Sequence, residues 1–146
     1  LEIYLKKEKS AGFLIFRREN NTIKYLFLKS KGRYDIPKGI QEVGESEFEA
    51  ALRELKEETG INEVKIVPLF KKKIEYFYRL GKDNIKKEVV YFLGEVNTSE
   101  IKISKEHNGY EWLTKEEVLS KVKYENIKKL VEEAENYIKN LNKKNV

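Results

Sequence analysis

Cysteine and methionine are both absent from this chain of 146 residues. Without cysteine there can be no disulfide and no thiolate metal site. Histidine occurs once, as His107, tryptophan once, as Trp112, and proline only twice. No apolar run approaches the ~20 residues needed to cross a bilayer, and no signal-peptide pattern opens the chain. The expectation is therefore a cytoplasmic protein with no membrane partner. Repeats, low-complexity stretches and linkers are missing too, so residues 1–146 read as one domain, long enough to bury a core. Acidic residues are outnumbered, 25 against 30 Lys and Arg, for a net charge of +5. That balance suits an anionic partner, nucleotide or nucleic acid alike. Lys and Glu are abundant and thermolabile residues few apart from Asn, a composition compatible with a thermophile.

Two β-prone runs come first, Ala11 to Glu19 and Thr22 to Ser30, joined by the turn Glu19-Asn20-Asn21-Thr22. Lys31 to Lys38 reads as a basic loop. Val64 to Tyr78 is strand-like, Arg79 to Ile85 a turn, Lys87 to Val96 a strand and Tyr110 to Leu113 a short one. Thr114 and Glu117 form a capping box that opens a short helix. Ile127, Leu130, Val131, Ala134, Ile138 and Leu141 fall at helical spacing within Tyr124 to Leu141, and the Lys-Asn tail from Lys139 is expected to fray. Strands, a helix, strands and then helices predict a mixed sheet between helices.

Residues 39–61 are denser in information than any other stretch. Ser46 to Thr59 reads as a helix, with Ser46 as N-cap, Glu49 completing a capping box and Gly60 as a left-handed C-cap. Phe48, Ala51, Leu52 and Leu55 make one buried stripe. Glu54, Glu57 and Glu58 are spaced i, i+3 and i+4, so their carboxylates can converge. Arg53 can pair with Glu45, Glu49 or Glu57. Residues 45–60 carry a net charge of −4, leaving +9 in the remainder of the chain. Acid packed inside a basic protein calls for a cation. Magnesium, which takes oxygen ligands, fits Glu54, Glu57 and Glu58 together with the Gly39 carbonyl; manganese is the alternative. One of the carboxylates can instead act as general base.

Gly39, Glu45, Arg53, Glu54, Leu55, Glu57, Glu58, Gly60 and Ile61 match the pattern G-x5-E-x7-R-E-U-x-E-E-x-G-U without departure, U being aliphatic. This resembles the Nudix box of hydrolases that cut nucleoside-linked diphosphates. The resemblance implies an α+β Nudix fold, α/β/α in layers, with Glu54 as base and Glu57 and Glu58 as ligands. It extends to Ser10-Ala11-Gly12, Pro37-Lys38-Gly39 and Glu106-His107-x-x-Tyr110-x-Trp112, which look like the asymmetric diadenosine tetraphosphate hydrolases. Arg33-Tyr34 stands where relatives often carry His-Trp.

Lys38, Lys87 and Arg33 are the candidate cations for the phosphate chain, because a polyphosphate needs more than one. By resemblance, Tyr76 and Tyr110 clamp a nucleobase, whereas Tyr78 and Tyr91 are structural. Glu106 adds a metal-binding or basic carboxylate, His107 contacts phosphate, and Trp112 is a core residue. The implied reaction is hydrolysis of diadenosine tetraphosphate to ATP and AMP. The alternatives are an RNA 5′-pyrophosphate hydrolase, another nucleotide pyrophosphatase, or a Nudix domain that senses a nucleotide without cutting it. The implied partners are a small nucleotide, or an RNA 5′ end, for a monomer or weak homodimer.

Overall fold

A computed structural model describes residues 5–144; residues 1–4 and 145–146, which include the end of the Lys-Asn tail, lie outside the described residues. The first hairpin forms where the sequence places it. β1 (Leu5–Glu19) turns into β2 (Thr22–Ser30) through Asn20 and Asn21, at φ 48° and 68°. Positive φ at both central residues is what a type I′ hairpin turn requires, and Asn tolerates it. Lys31 and Gly32 repeat the device at φ 46° and 75°. The expected loop Lys31–Lys38 is consequently structured. β3 (Arg33–Asp35) folds back on β2, and β4 (Lys38–Ile40) pairs with β1 from Ser10↔Ile40 to Gly12↔Lys38.

The second hairpin is longer than its sequence suggested. β5 (Lys65–Leu80) and β6 (Asp83–Glu95) are joined by Gly81 and Lys82 alone, and Arg79↔Asn84 and Leu80↔Asp83 remain in the ladder. The expected turn Arg79–Ile85 is therefore mostly strand. It is held because β1 begins at Leu5 rather than Ala11 and runs parallel to β6 from Leu5↔Asn84 to Phe16↔Glu95. β7 (Gly109–Leu113) adds to β2. The sheet order is β3-β2-β1-β6-β5, with β4 on β1 and β7 on β2. One parallel pair among antiparallel ones makes the sheet mixed.

Among the described residues three helices cover it. α1 (Glu47–Thr59) has the full Ser46–Glu49 capping box and ends at Gly60, φ 75°, where the left-handed conformation costs a glycine nothing. α2 (Lys115–Lys121) has the Thr114–Glu117 box. α3 (Glu125–Lys144) continues through the segment expected to fray from Lys139.

Alternation along the central strands supplies both faces. Ala11, Phe13, Ile15, Leu26 and Leu28 pack with Ala50, Ala51 and Leu55 of α1. Leu14, Phe16, Tyr25, Phe27, Val89 and Tyr91 pack with Val118 of α2 and Ile127, Leu130, Val131, Ala134 and Ile138 of α3. Each large apolar side chain so buried stabilises the fold by about 1.5–3 kcal/mol. Phe48 and Leu52 lie partly buried against the α1-side cluster, and so does Trp112, whose indole N–H donates to the Ser99 carbonyl at 3.1 Å. The result is α+β, a mixed sheet between helical layers, as the sequence implied.

Candidate active site

The box is assembled by one guanidinium. Arg53 donates to both Glu45 oxygens, from Nε at 2.6 Å and Nη2 at 3.0 Å. Nη2 also reaches the Ile40 carbonyl at 3.0 Å, and Nη1 the Glu54 Oε1 at 2.9 Å. Arg53 therefore ties β4, the loop before α1 and the helix itself into one unit. Glu45 in turn accepts from the Glu42 N–H at 2.9 Å. Those hydrogen bonds, Arg53 first, hold the Glu45 carboxyl below its ordinary range and raise Arg53 well above its own. Glu49 is occupied by the helix cap and leaves Arg53 to the others.

Gly39 sits directly against the Glu54 carboxyl; a Cβ there would overlap all three of its terminal atoms. Glu58, one turn along α1 and 7% exposed, accepts from the Lys38 N–H at 3.1 Å. Burial, and then the neighbouring Glu54 charge, push the Glu58 carboxyl up to about 8. Burial raises Glu54 as well, and the Glu106 charge adds to both. Two carboxylates thus share a confined space with a third facing them. A divalent cation placed there would reverse the local field, and the donors, carboxylate and carbonyl oxygens only, suit a hard one.

The convergence differs from the expected one at Glu57. Its carboxyl is exposed and accepts from Arg53 Nη1 at 3.4 Å, the same nitrogen that holds Glu54, whereas Glu58 is buried against the Lys38 N–H. The cause is the competing cation at i−4. Among the described residues no three acidic or imidazole groups already close into a metal cage. The residues that could hold a metal here are Glu54 and Glu58 beside Gly39, with Glu106, whose charge acts on both, and Glu57, which shares Arg53 with Glu54.

A cleft of about 780 Å³ is lined by Glu58 and Glu106, by Lys38, Lys87, Arg33 and His107, and by Tyr76, Tyr78, Tyr124 and Ile127. Lys38 is held below the usual lysine range by burial and then by the Lys87 ammonium. Lys87 also pairs with Glu8 at 3.2 Å and Arg33 with Asp35 at 3.6 Å. His107 Nε2 lies 4.0 Å from Asp35, and its buried Nδ1 has no partner. The sequence markers explain how the cleft is built. Gly12 has no room for a side chain because the Pro37 carbonyl and Lys38 press against it. That close approach aims Lys38 into the cleft.

The expected aromatic pair is not brought together. Tyr76 packs against the α3-side cluster and Tyr110 against the α1-side cluster, on opposite faces of the sheet. Tyr110 lines a separate, larger cleft of about 1170 Å³ that none of Glu54, Glu57 or Glu58 borders. Tyr124, 48% exposed just before α3, lines the same cleft as Tyr76. Tyr78, expected to be structural, is 40% exposed there too, while Tyr91 is buried as expected. Tyr34 and Asp35 are further lining residues that sequence reasoning passed over.

The chain is similar to known proteins along most of its length. The NUDIX domain model matches residues 5–138. The mouse (Mus musculus) asymmetrical bis(5′-nucleosyl)-tetraphosphatase is 33% identical over 143 residues, 89% of this chain and 95% of its own. A crystal structure of a Caenorhabditis elegans Ap4A hydrolase binary complex superposes with a TM-score of 0.81 at 27% identity, covering 91% of this chain and 98% of that one. An African swine fever virus mRNA-decapping protein, g5R, matches locally, at 44% over 62 residues, 41% of this chain and 24% of its own. Nudix hydrolases generally depend on a divalent metal, and the carboxylates beside Gly39 offer such an ion oxygen donors. By its box, its fold and the match along nearly its whole length, this chain belongs to the NUDIX family of hydrolases.

Proposed function

We propose that the protein hydrolyses diadenosine tetraphosphate to ATP and AMP. The observation that carries this reading is that one cleft gathers three kinds of group: the carboxylates Glu58 and Glu106, the cations Lys38, Lys87 and Arg33, and the aromatic rings Tyr76 and Tyr124. A nucleotide with an extended phosphate chain needs all three. The similarity to the mouse and nematode enzymes supports the dinucleoside substrate.

Glu54, Glu58, Glu106 and the Gly39 carbonyl would hold magnesium, or manganese. Bound there, the ion neutralises charge on the phosphate and acidifies a water. The chain's own residues do the rest. Lys38, Lys87 and Arg33 neutralise the phosphates outside the reacting one and fix the chain's path. Tyr76 and Tyr124 flank an adenine, a stack worth ~1–3 kcal/mol. Arg53 holds Glu54 in one rotamer, so the carboxylate is in place before substrate arrives. Water adds its oxygen to phosphorus, the bridging oxygen leaves with the other product, and the proton passes to Glu54.

Hydrolysis of diadenosine tetraphosphate should give one ATP and one AMP per turnover, resolved by chromatography. Two ADP molecules would refute asymmetric cleavage. A second reading, release of diphosphate from an RNA 5′ end, is favoured by the local match to the viral decapping protein. Faster turnover of triphosphorylated RNA than of the dinucleotide would establish it instead.

A further inference from the structure

β5 lies at the edge of the sheet, and among the described residues its outer side has no partner strand. Its two halves treat that edge differently. The first half carries Pro68, an irregular ladder between Ile66 and Lys71 with Leu69 at φ 67°, and three successive lysines, Lys71 to Lys73. Proline, bulges and lysines are the devices by which exposed edges avoid pairing. The second half, Ile74 to Leu80, has none of them. It reads Ile-Glu-Tyr-Phe-Tyr-Arg-Leu, with Phe77 66% and Leu80 64% exposed.

That segment is complementary to itself. Laid antiparallel on a second copy with Phe77 on the two-fold axis, Ile74 faces Leu80, Glu75 faces Arg79 and Tyr76 faces Tyr78. Opposite charges, aromatic pairs and apolar pairs directly across a ladder each stabilise it. A shift that keeps the faces matched must be by two residues on this axis scale, since directly opposed residues share a face. One such shift sets Lys73 against Arg79; the other sets Ile74 against Lys82 and Glu75 against Gly81. Of these registers only the Phe77-centred one sets Glu75 opposite Arg79, adding to the pairs Glu75 already makes with Lys73 and Lys86.

We propose that two copies pair edge to edge through residues 74–80 of β5, in the register that sets Phe77 against itself, so that Tyr78 of the partner subunit joins the aromatic wall of the cleft beside Tyr76. Tyr76 and Tyr78 both line that cleft, and strand pairing keeps opposed residues on one face, so each copy lends a ring to the other. Seven paired residues alone fall short of the roughly 1,200–2,000 Å² of a stable interface, which makes the dimer concentration-dependent. The pairing is independent of the substrate; the contribution of Tyr78 rests on the cleft being the base site.

The test is sedimentation across ~1 µM to ~1 mM protein, with charge variants at Glu75 and Arg79, neither of which lines the cleft. Glu75→Arg and Arg79→Glu each set like charges opposite each other and should stay monomeric where the parent dimerises. Mixed in equal amounts they are complementary at both positions and should dimerise again. A monomeric parent throughout, or a mixture that stays monomeric, overturns the pairing. Because the chain has no cysteine, Phe77→Cys gives an independent readout: Cα atoms about 4.5–5.5 Å apart across an antiparallel pair can be bridged. Oxidation should cross-link Phe77→Cys and leave Glu75→Cys uncoupled; equal yields overturn the register. Calorimetry with ATP should show at least about fivefold tighter binding to the mixture than to either single variant, the lower end of a base stack. Equal affinities with a restored dimer would overturn the role of Tyr78 and leave the pairing standing.

Discussion

Replacing Gly39 by alanine should silence the enzyme while leaving the fold nearly as stable. The backbone at Gly39 is not in the left-handed region, so alanine fits its torsions. The three atoms nearest the added Cβ all belong to the Glu54 carboxyl, the far end of a flexible side chain. Glu54 must rotate away, breaking its 2.9 Å bond from Arg53. One such bond is worth about 0.5–1.5 kcal/mol, and the stiffer alanine returns about 0.4–1 kcal/mol through the unfolded chain. The net change in stability should be within about 1 kcal/mol. The activity cost is larger, because a carboxylate displaced by about 1 Å or more from its working position forfeits on the order of 10²-fold in rate. Gly12→Ala is the control. Its Cβ meets the Pro37 carbonyl and the Lys38 backbone, which cannot rotate aside, so strain of about 1–3 kcal/mol should appear in the melting temperature. The assays are kcat with saturating magnesium and unfolding by heat and urea. Parental kcat in Gly39→Ala, or a stability loss larger than that of Gly12→Ala, would refute this reasoning.

Glu58→Gln should lower kcat at least about 10²-fold, since charge stabilisation at the reacting phosphate is worth several kcal/mol, and circular dichroism should show an intact fold because an amide oxygen can still accept from the Lys38 N–H. Glu58 also sets a pH dependence. Its carboxyl sits at about 8 in the folded chain against an ordinary 4.5, so the folded state holds the proton more tightly and metal-free stability falls as pH rises from about 4.5 to about 8. The Gln variant should lack that fall, and a parallel decline in both proteins would refute the assignment. Tyr76→Ala and Tyr124→Ala should each weaken nucleotide binding by ~1–3 kcal/mol, with Phe milder; Tyr110→Ala should move the melting temperature and not the dissociation constant measured by calorimetry.

The box helix was legible because its signals are local. Ser46, Glu49 and Gly60 act within one turn of the helix ends, and the apolar stripe needs only its spacing. The partner of Arg53 was not, since spacing admits Glu45, Glu49 and Glu57 alike; the choice is made by the fold of residues 40–45 and by the cap, which occupies Glu49. The expectation that Tyr110 faces Tyr76 fails for a similar reason. Tyr110 lies opposite Leu28, which is buried on the α1 side, so it must share that face. Nothing in the sequence gives the register of β7 on β2. Tyr124 carried a weak signal, an aromatic at a helix start outside the apolar stripe of α3. The long β5–β6 hairpin was shortened to a turn because its outer residues are polar, and only the parallel ladder with Leu5–Lys9 shows why they are extended.

The Arg53 network has a thermal consequence. With β4, the 40–45 loop and α1 joined by one side chain, heating must break several hydrogen bonds of a single guanidinium before the Ile40 backbone and the Glu45 and Glu54 carboxylates can part. An incoming charged ligand meets dipoles whose ordering was completed during folding, so little reorganisation accompanies each catalytic cycle.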